Sequence, residues 1–162
     1  MNQSQIDKAT ALRKAGSLEK TIGYLQELLL ISSDNALIYY HMAWAHDALG
    51  KEADAAPMYE KAIALGLSGE SLESALLGLG STYRCLGDYQ NSKRVFNRAM
   101  ESFPDNRSFK VFNALNEYNL KNHSEAMRLL IMELVHTTSD PQIQKYARAL
   151  EFYSDKLDQT FE

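Results

Sequence analysis

The sequence predicts an all-α fold, a right-handed α-solenoid of four helical hairpins closed by a C-terminal capping helix. Three observations carry that prediction. Apolar residues recur three or four apart in runs of helical length, each ended by Gly, Asn or Pro. The runs come in pairs joined by turns of a few residues, and so short a connection leaves two amphipathic helices little choice but to pack antiparallel. The pairs then recur every 34 to 37 residues, so one unit is copied along the chain. Pairs stacked with a small rotation between neighbours wind into a right-handed superhelix.

The first pair is expected over residues 3–15 and 18–31. Its front helix lacks bulky aromatics, as suits a terminal repeat with one side open to water. Asp34 or Asn35 is placed to cap the next helix, which runs through Ile38, Tyr39, Met42, Ala43 and His46 to Gly50. Its partner begins near Glu52. Pro57 lies close enough to that start for the helix to tolerate it, with at most a slight kink. Between the second and third units the spacing grows from 34 to 37, and the insertion falls in residues 66–70, where it lengthens either the loop or the start of the following helix.

The third unit, residues 73–106, is the clearest. Leu76, Leu79, Gly80 and Tyr83 form one stripe, ended by Leu86, Gly87 and Asp88; Tyr89, Ser92, Val95, Phe96, Ala99 and Met100 form the next, ended by Phe103, Pro104 and Asp105. Small residues at Gly80, Ser92 and Ala99 let two backbones approach, and Tyr83 and Phe96 fill what the small ones leave. Shifted by 37, Gly50, Ala55, Tyr59 and Ala62 repeat Gly87, Ser92, Phe96 and Ala99; shifted again by 34, Gly16, Thr21, Leu25 and Leu28 do so. In the fourth unit Asp105 is expected to cap a helix through Phe109, Phe112 and Leu115 to Leu120. The turn at Lys121 and Asn122 reads one residue shorter than the others, and Ser124 to about His136 closes the pair. Here Ala126 and Leu130 match Ser92 and Phe96, but Glu133 stands where Ala99 is small. The tail opens on Asp140 as cap and Pro141 at the first helical position, with Ile143, Tyr146, Ala147, Leu150 and Tyr153 along one apolar side.

Gly80, Tyr83, Gly87, Phe96, Ala99 and Pro104 fall in the phase of a 34-residue helical hairpin, and this pattern resembles the tetratricopeptide repeat. The resemblance covers about residues 3–136 and is strongest over 36–106. It implies one domain over 1–162, with repeats at about 2–35, 36–69, 73–106 and 107–138 and a capping helix over about 140–157. The stretches HDALGKEADAAPMYEKAIALGLSGE, GLGSTYRCLGDYQNSKRVF and YNLKNHSEAMRLLIMEL are similar to a compact bacterial four-repeat domain of unassigned function. The resemblance brings no catalytic residues.

Composition narrows the function classes. A formal charge of −4 without any local run of Lys and Arg argues against nucleic acid. No apolar block has the length of a signal peptide or a membrane span, so the expected place is the cytoplasm. The single Cys85 forms no intrachain disulfide and fits a reducing compartment. Three Asn-x-Ser triplets, at Asn2, Asn106 and Asn122, would matter only in a secreted protein and are read as chance.

The inner face of such a stack is lined by the first helix of each pair, and binding is sought there. On the side that the core stripe leaves free, the first helix offers Ile6, Thr10 and Arg13. The second offers Tyr40, Trp44 and Asp47, the third Leu77, Ser81 and Arg84, and the fourth Phe109, Phe112, Asn116 and Asn119. Aromatic and Arg side chains are enriched at binding hot spots. Such a face suits a peptide or helix of a partner protein, although burial by the superhelix or the last helix, or a homodimer in which one chain fills the other's groove, would cover the same residues. Chaperone-binding members of the family hold a C-terminal carboxylate with a Lys, Asn, Asn, Lys, Arg set at positions that here are Ile6, Thr10, Trp44, Leu77 and Ser81, so that clamp is not expected, although Arg13 and Arg84 one turn further on could attract an acidic group.

Other chemistry finds no support. His41 and His46 are five apart, which does not set both rings on one helix face, and His123 and His136 lie on a later pair, so no metal site is expected. Cys85 stands beside Arg84 but at a helix C-terminus, two opposed influences on its thiol, and an inert or partly buried thiol is expected. The glycines of LGLGS lie inside a helical stripe rather than a phosphate loop, and Glu70 and Glu73 fall on expected surface turns. The chain is therefore read as a non-catalytic binding module without a cofactor.

Overall fold

The computed structural model describes residues 3–161; Asn2, which begins the first Asn-x-Ser triplet, lies outside them. The described elements are α1 (Gln3–Lys14), α2 (Leu18–Leu29), α3 (Ala36–Ala48), α4 (Glu52–Ala64), α5 (Gly69–Cys85), α6 (Tyr89–Ser102), α7 (Ser108–Asn119), α8 (His123–Thr137), α9 (Pro141–Gln144) and α10 (Ala147–Tyr153). No strand occurs among the described residues, and no helix among them is long and apolar enough to cross a membrane.

Local chemistry accounts for the helix ends. Asn35, rather than Asp34, caps α3: its Oδ1 accepts from the backbone N–H groups of Leu37 (3.0 Å) and Ile38 (3.3 Å). Asp140 caps α9 in the same way, accepting from Gln142 and Ile143. The expected cap Asp105 is corrected at the start of α7: the helix opens at Ser108, so the capping position falls on Arg107, two residues after Asp105, and it makes no side-chain cap bond, while Asn106 Oδ1 accepts from the Ser108 N–H at 2.9 Å. The residues inserted at 66–70 go largely into helix, since α5 has 17 residues against 12 or 13 in α1, α3 and α7. Helix α4 runs on through Pro57.

All four turns within hairpins have the same length, which corrects the expectation of a shorter one after α7. In each, the residue after a left-handed position donates its N–H back across the turn: Ser17 to Leu12, Lys51 to His46, Asp88 to Tyr83 and Asn122 to Glu117. The left-handed residue is Gly16, Gly50, Gly87 and, in the fourth turn, Lys121 at φ 69°. Lys121 adopts a conformation that glycine takes without steric cost, so the turn is intact although its usual sequence mark is missing.

The chain divides into two units, the first ending at Asp88 and the second beginning at Tyr89. In the first, each helix from α1 to α5 packs on the next, and the front helices also touch in order, α1 on α3 and α3 on α5. Ala9, Leu25, Leu28, Ile38 and Met42 form its core, with Tyr24, Leu29 and Met58 packed against it. Asp47 ties three helices together. Tyr59 Oη of α4 and Thr82 Oγ1 of α5 both donate to its carboxylate, at 3.5 and 3.4 Å. Burial raises the Asp47 carboxyl above its ordinary range, and the Thr82 and Tyr59 hydrogen bonds act against that rise.

In the second unit α6 packs on α7, α7 on α8, and α8 on α10. The repeated positions again face inward: Ser92, Phe96, Ala99 and Ala126 are buried. Glu133, at the position where Ala99 is small, is also buried, with its carboxylate 3.0 Å from Arg107 Nη1 and 3.3 Å from Lys110 Nζ. Burial pushes this carboxyl upward, but the Arg107 and Lys110 contacts outweigh it and hold the group below the usual range. The expected last helix is in two pieces, broken at Lys145 and Tyr146. The break turns part of the apolar side outward: Tyr146 and Tyr153 are 57% and 48% exposed, while Ile143, Ala147 and Leu150 are half-buried. Ser154 is buried, its Oγ donating to the Glu151 carbonyl and lying 3.7 Å from Met132 Sδ of α8.

Candidate functional site

The face expected to bind is best formed in the first unit, around the C-terminal half of α1 and the middle of α3. The Arg13 guanidinium lies over the Trp44 ring, 4.4 Å from its centroid, and 6.0 Å from that of Tyr40. A cation held against aromatic faces is attracted by the ring quadrupole and loses freedom to swing into solvent. Trp44 is half-buried, while Tyr40 is buried and tilted against His41 at 5.0 Å between ring centroids.

Beside this cluster opens a cleft of about 390 Å³. Ile6, Thr10 and Arg13 of α1 form one wall, Leu37, Tyr40 and His41 of α3 another, and Ser71 and Ser74 of α5 a third, with Glu70 exposed at the rim. Two polar atoms here are buried without a hydrogen-bond partner in the described protein, Arg13 Nη1 and His41 Nδ1. Burial, with the nearby Arg13 charge, pushes the His41 imidazole down to about 4, so it is neutral at pH 7. The cleft therefore joins a cation, a neutral imidazole and the hydroxyls of Thr10, Tyr40, Ser71 and Ser74 to the apolar side chains of Ile6 and Leu37.

The structure brings Ile6, Arg13, Tyr40 and Trp44 near one another, but Ile6 and Tyr40, expected on an open face, are buried and border the cleft from the interior. Leu77, Ser81 and Arg84 follow along α5 in the same unit, each partly exposed. In the second unit Phe112 is partly exposed, but Phe109 and Asn116 are fully buried, which corrects their assignment to an open lining. Phe109 packs against Phe103, and Asn116 Nδ2 donates to the Tyr89 carbonyl at 2.9 Å, so both serve the interior of α6–α8. Asp47, also placed on the free side, is tied to Tyr59 and Thr82. Sequence reasoning missed His41, Ser71 and Ser74. The three-residue insertion was the signal for Ser71, because it lies in the added turn of α5, whereas Ser74 stands one position on from the unlengthened start of the helix, where α3 has Leu37.

No group of three or more His, Cys, Asp or Glu side chains placed to hold a metal ion occurs among the described residues. Cys85 is an exposed free thiol, with Arg84 Nη2 3.8 Å from its sulfur.

A sequence profile described as tetratrico peptide repeat matches residues 36–157, most of the chain, with the first hairpin outside the match. No curated protein sequence matches the chain. Among solved structures, a crystal structure of MamA protein superposes with a TM-score of 0.69 at 16% identity, covering 99% of this chain and 78% of that one. The MamA RS-1 ArsTM double mutant gives 0.74 at 13% identity, covering 96% and 86%. A tetratricopeptide repeat protein from Parabacteroides merdae gives 0.62 at 16%, covering 95% of this chain and 61% of that one. At such identities the likeness speaks for the fold alone.

Proposed function

The chain belongs to the tetratricopeptide repeat family, and on that premise we propose that it is a non-catalytic adaptor that holds a peptide or helix of a partner protein. Tetratricopeptide repeats generally mediate protein–protein interaction. The binding face in this reading is the free side of α1, α3 and α5, with Ile6, Arg13, Tyr40, Trp44, Leu77, Ser81 and Arg84 as contacts. Phe112 offers a separate apolar contact on α7 of the second unit. An exposed free Cys85 fits action in the reducing cytoplasm.

The observation that carries the reading is the Arg13–Trp44 stack beside an open cleft. Trp and Arg are the types that dominate binding hot spots, because they bring large contact area at small entropic cost once their rotamers are held. Here the stack holds them before any partner arrives. The mixed cleft next to half-buried aromatics suits an extended peptide or an amphipathic helix.

Selection of a random peptide library on the whole chain tests this. Binders are expected to enrich, and Trp44→Ala is expected to weaken them at least tenfold while its circular dichroism stays that of the wild type. Absence of any binder, or binders indifferent to Trp44→Ala, would refute the assignment.

A further inference from the structure

We propose that the cleft between α1, α3 and the added first turn of α5 is a carboxylate subsite, which takes an acidic side chain from a partner segment. The inference rests on the protein-binding reading and names the chemistry that one part of the face selects.

Three observations support it. Arg13 Nη1 is buried yet has no hydrogen-bond partner, so a guanidinium fixed over Trp44 directs an unsatisfied N–H into its surroundings. Arg13 as a whole is half-buried, but its Nη1 N–H, left without a partner, gains from an acceptor delivered by a ligand. His41 is 5% exposed, lines the same cleft, and also keeps Nδ1 without a partner. Thr10, Ser71 and Ser74 add hydroxyls that can donate to carboxylate oxygens.

Size and charge restrict the ligand further. A cleft of about 390 Å³ is at the small end of ligand sites, enough for one side chain and its flanking backbone. Ile6 and Leu37 offer apolar surface for a short aliphatic stem. Glu70, exposed at the rim, opposes every anion that enters, an opposition that grows with the ligand's charge and so favours a single acidic residue over a run of them. The site is particular to this chain's lengthened α5: its extra turn supplies Glu70 and Ser71, for which the shorter front helices α1 and α3 have no counterpart.

The test is nitrogen-15 NMR titration of the whole chain with N-acetyl-glutamate N-methylamide, its glutamine counterpart, and free glutarate. The expected result is saturable shifts of the Arg13 side-chain Nε–H and the Trp44 indole N–H, at least tenfold tighter for the glutamate probe than for the glutamine one. Arg13→Gln should abolish the difference. Should that variant not fold, the double variant Ser71→Ala and Ser74→Ala, confined to the α5 wall, is expected to weaken the glutamate probe severalfold. Equal affinity for the glutamate and glutamine probes, no shift at either signal, or a preference that survives the variants overturns the proposal. Tighter binding of free glutarate than of the blocked residue assigns the cleft to a small free acid and overturns the partner assignment. The peptide selection fails separately: enriched peptides without Asp or Glu sink the subsite and leave the protein-binding reading standing, whereas no enriched peptide with the glutamate probe bound does the reverse.

Discussion

The ring of Tyr59 on α4 occupies the space that a side chain on Gly78 of α5 would need: a Cβ built at Gly78 lies 2.5 Å from both Tyr59 Cζ and its hydroxyl oxygen. Tyr59 cannot readily withdraw, since it is buried and its hydroxyl is directed at Asp47. Alanine in place of glycine gains about 1 kcal/mol of helix propensity, but overpacking costs about 1–3 kcal/mol. Gly78→Ala is expected to lower stability by up to about 2 kcal/mol on balance. In a double-mutant cycle, Tyr59→Leu should make the same substitution far less costly. Additive costs measured by urea unfolding would show that the contact does not couple the two helices.

His41 makes stability depend on pH. Its imidazole titrates near 6.5 in the unfolded chain and is pushed down to about 4 in the fold, first by burial and then by Arg13. Between those values the unfolded state binds a proton that the folded state refuses, so stability is full above pH 6.5 and falls as the pH drops towards 4. By pH 4.5 the loss should reach about 2–3 kcal/mol, at about 1.4 kcal/mol for each pH unit. His41→Gln, which does not titrate, should lose less over the same range. Asp47, raised by burial, acts in the opposite sense, so the comparison between wild type and variant isolates the imidazole. Parallel urea midpoints for the two proteins between pH 7.5 and 4.5 would contradict this account.

The architecture was legible because its signals are local and repeated. Ala55, Tyr59 and Ala62 are buried where Ser92, Phe96 and Ala99 are, and the same offsets identify both sets in the sequence. The site was legible only in part. The side of α3 that carries Trp44 followed from the stripe left by Ile38 and Met42, but periodicity separates two faces of a helix only while one of them stays open. Helix α7 is covered more widely, so Phe109 and Asn116, placed on its free face, are interior. The Arg13–Trp44 stack joins residues 31 apart and depends on how two front helices meet, which no local pattern records.

Lys121 offers a test of the turn chemistry. It stands at φ 69°, where a side chain costs about 1–2 kcal/mol and glycine nothing. Lys121→Gly should raise stability by up to about 1 kcal/mol, because the greater entropy of glycine in the unfolded chain cancels part of the relief. Lys121→Ala should leave stability nearly unchanged, since alanine meets the same backbone strain. A melting temperature lowered by Lys121→Gly would contradict the left-handed assignment.

Glu133 shows how the fourth repeat accommodates a carboxylate where the third has Ala99. Removing its charge with Glu133→Gln leaves Arg107 and Lys110 without their acceptor, but both are partly exposed and water can solvate them. The cost is therefore expected at about 1–2 kcal/mol, below that of breaking a fully buried pair. Because the folded carboxyl is held below its ordinary value, its contribution is present above about pH 4.5 and fades as the pH falls through the lower folded value. Wild type and Glu133→Gln should thus converge in stability at strongly acidic pH, and a gap that persists there would point to packing rather than charge.

Helix α10 covers α8 through Ser154 and the half-buried Ala147 and Leu150, and His136 of α8 stands 3.5 Å from Glu151. A chain ending at Asp140 loses those contacts and uncovers that side of α8. Partial burial of two or three aliphatic side chains is worth about 2 kcal/mol, so the shortened chain should melt several degrees lower and aggregate more readily. Tyr146, Phe152 and Tyr153 leave with the deleted segment, and being exposed they should account for little of that loss. Substituting Leu150→Ser alone should reproduce most of the drop, whereas Tyr153→Ser should not. Equal melting temperatures for the full and shortened chains would mean that α10 rests on the second unit without supporting it.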